Sequence, residues 1–186
     1  MYKRQTPTTF AGSGTTTLGP AVEDSLLFDV LQTGIKTGAT TIQARVWVTD
    51  LSNQQQMFIE TIENGGSVEV QSPATFDIVS VTPSQPAITR NQNQSWSVDV
   101  ILKNNGGSDL QIDFSTSPPA VALALDSGGE YMFTPPTTFT DGETVLQGSS
   151  EKTMRFFMTQ SGALTGLSTI GASFAATEIN SDTPYA

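Results

Sequence analysis

Apolar and polar residues alternate with a period of two along most of the 186-residue chain. Trp96, Val98, Val100 and Leu102 alternate with Ser95, Ser97 and Asp99, which predicts a strand with one face in a core. Leu110, Ile112 and Phe114 alternate with Gln111 and Asp113 in the same way. The intervening Lys-Asn-Asn-Gly-Gly-Ser run at 103–108 tolerates positive φ, so these two strands are expected to form a hairpin. Further strands are expected at 76–82, 121–125, 131–134, 152–158 and 168–177, and earlier in the chain at 26–30, 40–49 and 67–70. No window of about a dozen residues places apolar side chains at spacings of three and four, so little or no helix is expected.

The same pattern occurs twice. Residues 18–53 return as 146–181, a shift of 128 positions. Under that shift Gly14, Leu18, Glu23, Phe28 and Gln32 meet Gly142, Leu146, Glu151, Phe156 and Gln160. Gly34, Thr37, Gly38, Ile42, Ala44 and Thr49 meet Gly162, Thr165, Gly166, Ile170, Ala172 and Thr177. The Pro-Thr-Thr-Phe run at 7–10 meets 136–139 after a one-residue slip. A period of about 128 residues is domain-sized, which points to tandem domains rather than a solenoid. On this alignment 1–72 is the C-terminal part of one repeat, and 73–186 is a second repeat lacking its last strand. The chain then reads as a window on a longer array, with an open strand edge in its second repeat that favours dimerisation or aggregation.

Seven or eight short strands per repeat, punctuated by turn residues, predict an immunoglobulin-like β-sandwich. Its expected core includes Trp96, Val98, Val100, Ile112, Phe114, Phe156, Ile170 and Phe174. The segment Ile78 to Thr89, with its Pro-containing bend, and the segment Trp96 to Asp109, with its Asn-Gly turn, resemble the opening of CARDB-like and related immunoglobulin-like modules of bacterial and archaeal surface proteins. The resemblance covers about 76–114 and rests on structural motifs. It implies adhesion or spacer roles and carries no catalytic residues over. The run at 136–139 and the Thr165-Gly166 pair depart from the short pattern of that family.

Composition narrows the partners. Eighteen acids against eight bases give a net charge of −10, which repels phosphate backbones and anionic lipid surfaces, so neither nucleic acid nor a membrane surface is an expected partner. Thr and Ser make up about a quarter of the chain, a bias of secreted β-proteins with half-buried strands. An extracellular or cell-surface location follows as the expectation. Cysteine is absent, which removes disulfides and thiolate metal sites. The longest apolar run, 120–125, is far short of the ~20 residues of a membrane span.

Candidate chemistry is sparse. Histidine is absent, so Ser-His-Asp hydrolysis and the usual zinc and copper sites are removed, and no enzyme is expected. No cofactor is expected beyond calcium, whose hard-oxygen ligands the sequence offers at Asp126 and Glu130 and at Asp141 and Glu143, without EF-hand spacing. The pair Asp109 and Asp113 is a further set of loop acids. Trp47 is out of phase with Ile42, Ala44, Val46 and Val48 and is expected to point outward, as a surface contact with a neighbouring domain or a ligand. Two functions remain: a non-catalytic structural or adhesive repeat, a stalk or spacer whose partners are neighbouring repeats and a protein or glycan surface ligand; or a carbohydrate-binding module of a secreted enzyme.

Overall fold

The computed structural model describes residues 3–4, 7–32, 34–60, 66–92, 94–124 and 130–186. Among them the chain is all-β, with sixteen strands and no helix, and none of it is a helix long and apolar enough to cross a membrane. The chain divides into two compact units, Met1–Val70 and Gln71–Ala186.

The first unit holds β1 (Lys3–Arg4), β2 (Val30–Gln32), β3 (Gly38–Thr41), β4 (Arg45–Thr49), β5 (Gln56–Glu60) and β6 (Ser67–Val70). They pair as three antiparallel two-stranded ribbons, β1 with β2, β3 with β6 and β4 with β5. No residue of this unit at 7–30, 34–60 or 66–70 is buried. The expected strand at 26–30 is realised only from Val30 onward, and 22–29 joins no strand. A lone ribbon is marginally stable in water, and these three have no shared buried core to add to it.

The second unit holds β7 (Phe76–Pro83), β8 (Trp96–Asn104), β9 (Leu110–Ile112), β10 (Ala120–Leu123), β11 (Met132–Thr134), β12 (Val145–Leu146), β13 (Glu151–Gln160), β14 (Ile170–Ser173), β15 (Ala176–Glu178) and β16 (Pro184–Tyr185). One sheet runs β11-β13-β8-β7, a second runs β12-β9-β15-β16, and β10 pairs with β14 as a ribbon. Alternate residues of β8 are buried throughout, and Val98, Val100 and Leu102 are fully enclosed. They join Met154, Phe156 and Met158 of the same sheet and Leu110, Ile112 and Leu146 of the other in one core. Phe114, Ile170 and Phe174 pack against it half-buried. Leu125, the end of one expected strand, lies outside the described residues.

Two expectations are corrected. β8 and β9 do not form a hairpin: β8 pairs with β7 and β13, whereas β9 pairs with β12 and β15. The turn between them carries the chain from one sheet to the other. Asn104 is fully buried there; its Nδ2 donates to the Ser108 carbonyl at 2.8 Å and its Oδ1 accepts from the Gly106 N–H at 2.9 Å. A Cβ on Gly106 would fall 2.1 Å from the Pro73 carbonyl oxygen, so only glycine lets these backbones meet. The expected strand at 168–177 is likewise split into β14, on the ribbon, and β15, on the second sheet, with Phe174 between them stacked 4.9 Å from Phe76.

At an offset of 128 positions several backbone features of the two units correspond. β4–β5 pairs Val48 with Met57 and Thr49 with Gln56; β15–β16 pairs Ala176 with Tyr185 and Thr177 with Pro184. The turn of the first ribbon is closed by Asp50 N–H to Gln55 O and Gln54 N–H to Asp50 O, and that of the second by Glu178 N–H to Thr183 O and Asp182 N–H to Glu178 O. Gln54 and Asp182 both have positive φ, at 60° and 54°. Ala21 and Ser149 are a second such pair, Gly14 and Gly142 a third, and Gly38 and Gly166 a fourth. After the one-residue slip, Arg4 faces Val30 and Lys3 faces Gln32 across a bulge, as Phe133 faces Met158 and Met132 faces Gln160. Gly162 serves differently: it has no positive φ, but a Cβ there would lie 2.8 Å from the Tyr131 ring.

Replacing Phe156 by Ala should cost about 3–5 kcal/mol, because the site is closed on all sides, whereas Trp47→Ala on an exposed ribbon should cost much less. Asn104→Ala, which strands buried backbone groups, should cost about 1–3 kcal/mol, and Asn105→Ala, which loses an exposed bond to Asp77, only a fraction of that. Urea unfolding of the four variants measures both contrasts.

Candidate functional site

The acidic turn is the best-defined of the expected ion sites. Gly142, at φ 89°, lets the chain reverse between Phe139, whose N–H donates to the Glu143 carbonyl at 2.8 Å, and Glu143, whose N–H donates to Asp141 Oδ1 at 3.0 Å. Lys152 Nζ reaches the other Asp141 oxygen at 2.7 Å. Its ammonium also lies 5.6 Å from the centre of the buried Phe139 ring. The hydrogen bond from Lys152, reinforced by the Glu143 N–H, holds the Asp141 carboxyl below the usual carboxylate range. The turn thus brings Asp141 and Glu143 together, but spends the first on structure.

The remaining acids are apart from it. Glu130 Oε2 accepts from the Ala163 N–H at 2.9 Å. Asp126 lies outside the described residues. Asp109 accepts from the Gly148 N–H at 2.8 Å, and Asp113 accepts the N–H groups of Thr116, Ser115 and Ser117, which lower its pKa. Among the described residues no cluster of three or more acids is arranged to hold a metal ion.

The first unit builds the same turn with the opposite polarity. Phe10 N–H donates to the Thr15 carbonyl at 2.8 Å, and Ala11 N–H to Ser25 at 2.7 Å; their counterparts are Phe139 to Glu143 and Thr140 to Thr153. Where the second unit has Lys152, the first has Asp24. Its carboxylate accepts the Ser13 hydroxyl at 2.6 Å and the N–H groups of Gly12, Ser13 and Ser25 at 2.8–3.0 Å. These donors, the Ser13 hydroxyl first, pull the Asp24 pKa down to about 2.

An aromatic patch lies on one face of the β4–β5 ribbon. Trp47 is 70% exposed and stacks on Phe58, its cross-strand partner, at a centroid distance of 5.2 Å. Arg45 lies 5.4 Å from the Phe58 centroid and bonds Glu60 at 2.6 Å. Cross-strand aromatic and charged pairs of this kind stabilise an isolated ribbon and leave its outer surface apolar.

A shallow cleft in the second unit is lined by Ile88, Arg90, Tyr131, Ser161, Gly162 and Thr165. Ser161 is buried there, but its hydroxyl donates to the Thr89 carbonyl and accepts from the Gln92 N–H, both at 2.8 Å. Sequence reasoning missed Glu178, a buried carboxylate at the end of β15 that accepts a hydrogen bond from the Tyr185 hydroxyl at 3.1 Å. Desolvation first, and then this bond, raises the Tyr185 pKa. The signal available was faint: Asp50 fills the corresponding place in the first unit and is solvated.

Comparison with family models, with curated proteins and with solved structures returned no match. The geometry of the residues therefore carries the functional reading by itself.

Because the folded pKa of Asp24 lies below its ordinary value, its contribution to the turn is present in full above pH ~4 and is lost as pH falls through about 2. In a carboxyl NMR titration Asp24 should protonate well below an unperturbed aspartate. Asp24→Asn should speed amide exchange at Gly12 and Ser13 at neutral pH without altering the Asp141 turn.

Proposed function

We propose that residues 1–72 are the C-terminal part of one immunoglobulin-like β-sandwich repeat and residues 73–186 a second lacking its last strand, akin to the CARDB-like modules that 76–114 resembles, and that the chain serves as a non-catalytic stalk, spacer or adhesion segment of a secreted or cell-surface protein. The observation that carries this reading is the coincidence of four positive-φ pairs and one strand register at an offset of 128 positions, and of a second register after a one-residue slip in its first strand. Such detail in distant parts of one chain supports repetition of a single module, and repetition supports function by spacing and display. The chemistry agrees in kind: Asp141 is engaged by Lys152, Asp109, Asp113 and Glu130 accept from backbone N–H groups, and the cleft serine is committed to backbone partners. On this reading neighbouring repeats of the same polypeptide are the first partners.

A second reading, a carbohydrate-binding module, is favoured by one feature, the exposed Trp47–Phe58 pair with Arg45 beside it. Aromatic faces of this size stack on sugar rings. The pair is confined to the first unit, since Trp47 corresponds to Ala175 and Phe58 to Ala186.

Two measurements separate the readings. Pulled from its ends, the chain should yield a discrete unfolding event for residues 71–186 that lengthens the tether by about 400 Å. Titration with soluble polysaccharides should leave the indole fluorescence unchanged. A saturable shift that disappears in Trp47→Ala would install the carbohydrate-binding reading in its place, and the absence of any discrete unfolding event would overturn the stalk.

A further inference from the structure

We infer that the cleft between the 88–92 and 161–166 loops of the second unit receives a single carboxylate, the acidic side chain of a partner polypeptide, with Arg90 as its anchor. Arg45, Lys103, Lys152 and Arg155 are each paired with an acid at 2.6–3.0 Å. Among the described residues Arg90 has no such acid, and it lines the cleft. An exposed arginine alone is solvated surface, but here its surroundings are built. The Ser161 hydroxyl donates to the Thr89 carbonyl and accepts the Gln92 N–H, both at 2.8 Å, and the Asn91 N–H donates to the Gly162 carbonyl at 3.1 Å. The segment carrying Arg90 is thereby fastened to the segment carrying Thr165, so a ligand between them meets a backbone that is already ordered. Gly162 lets the second loop close on Tyr131, since a Cβ there would lie 2.8 Å from the ring. Thr165 is exposed, and among the described residues its hydroxyl has no hydrogen-bond partner, yet it recurs in the first unit as Thr37. Packing gives no reason for that identity, whereas a hydroxyl offered to a ligand does.

Size and charge choose the ligand. The cleft's volume of about 100 Å³ is well below the ~300–1,000 Å³ that encloses a drug-sized molecule, so it takes a carboxylate and the methylenes behind it rather than a whole sugar ring. The guanidinium of Arg90 is a planar fork that meets a carboxylate through two parallel N–H donors. Ile88 and Tyr131, both half-buried, and Leu164 give the methylenes an apolar wall. Glu130 lies at the same place: its Oε2 is held by the Ala163 N–H at 2.9 Å and would be 3.0 Å from a Cβ on Gly162. That acid, on a chain of net charge −10, repels a ligand bearing a row of carboxylates, and Arg90 offsets one such charge, not several. A polyuronate is therefore disfavoured, and one acidic side chain on an otherwise neutral or basic polypeptide is favoured.

The test is an amide NMR titration of the whole 186-residue chain with glutamate capped at both ends, so that the side-chain carboxylate is its only charge. Saturable shifts at Gly162, Thr165 and Gly166, with 98–102 and 154–158 unmoved, are the expected result. Capped glutamine should bind about tenfold weaker, the scale of a charge-assisted hydrogen bond, and Arg90→Gln should weaken capped glutamate by about the same factor. Arg90→Lys, which keeps the charge and loses the fork, and Thr165→Val should each weaken it about threefold. Lys36→Gln removes an equal charge from the first unit and should leave binding unchanged. In every variant the unmoved amides of 98–102 and 154–158 show that the second unit is folded. Equal binding of capped glutamate and capped glutamine, undiminished binding by Arg90→Gln, or the absence of any saturable shift overturns the inference. A trigalacturonate or a neutral trisaccharide that moves these amides at lower concentration than capped glutamate overturns the occupant and gives the cleft to a glycan. The readout lies in the second unit alone, so a discrete unfolding event in the pulling measurement leaves each of these outcomes open.

Discussion

Everything ordered in the second unit depends on β8 being paired along both edges and buried along one face. Its nine residues alternate between enclosed and half-covered without interruption, and the register with β13 holds over eight consecutive pairs. That arrangement puts Val98 against Phe156 and Val100 against Met154, so the side chains of two central strands close one wall of the core. The first unit shows the converse. Two of its three ribbons repeat registers of the second unit, one after a one-residue slip, and no residue at 7–30, 34–60 or 66–70 is buried. Backbone geometry and turn chemistry are thus local properties of these sequences, whereas burial needs a central strand.

The crossing between sheets is where side-chain and backbone polarity must be matched most closely. Asn104 ends β8 inside the protein, where an unpaired amide would be costly, and spends both ends of its side chain on the turn that follows. Around it, Gly106 meets the Pro73 carbonyl and Gly148 meets the Gly107 carbonyl, each so closely that a Cβ would sit 2.1 Å from oxygen. An Asn-Gly turn exposed at a hairpin tip needs glycine for its dihedral angles; here Gly106 and Gly148 are needed for lack of a side chain.

That distinction explains how far the sequence was legible. The facing of Trp96, Val98, Val100, Ile112 and Phe156 follows from parity alone, because one face of each of their strands is buried and the period is two, whereas the runs expected at 26–30, 40–49 and 168–177 are shortened or split. The placement of Trp47 on an exposed face follows from the same rule. Pairing did not follow. A turn rich in Asn and Gly between two alternating runs fits a hairpin, and only the third dimension shows that Asn104 points inward and sends the chain to the other sheet. The candidate ion ligands failed to separate for a related reason. Asp141, Glu143 and Glu130 look alike in composition, but Asp141 is tied to Lys152 and Glu130 to the Ala163 N–H, partners 11 and 33 positions away.

The turn that follows Phe10 and Phe139 shows which property is held fixed while the residues change. Both versions keep the bond from the Phe N–H and a glycine at positive φ, yet one is fastened by Asp24, in a segment that joins no strand, accepting from the turn, and the other by a lysine on β13 reaching an acid in the turn. Exchanging Asp24 for Lys152 reverses the charge of the fastener, and Asp141 supplies the compensating carboxylate where the first turn has only Gly12, Ser13 and their donors. Each polarity satisfies the turn because a carboxylate accepts several N–H groups, whereas an ammonium must find an acid. What the two turns conserve is therefore the chain reversal and not a ligand set. A loop acid that can be replaced by a hydroxyl and an N–H in one turn, provided its partner changes sign, serves the fold there.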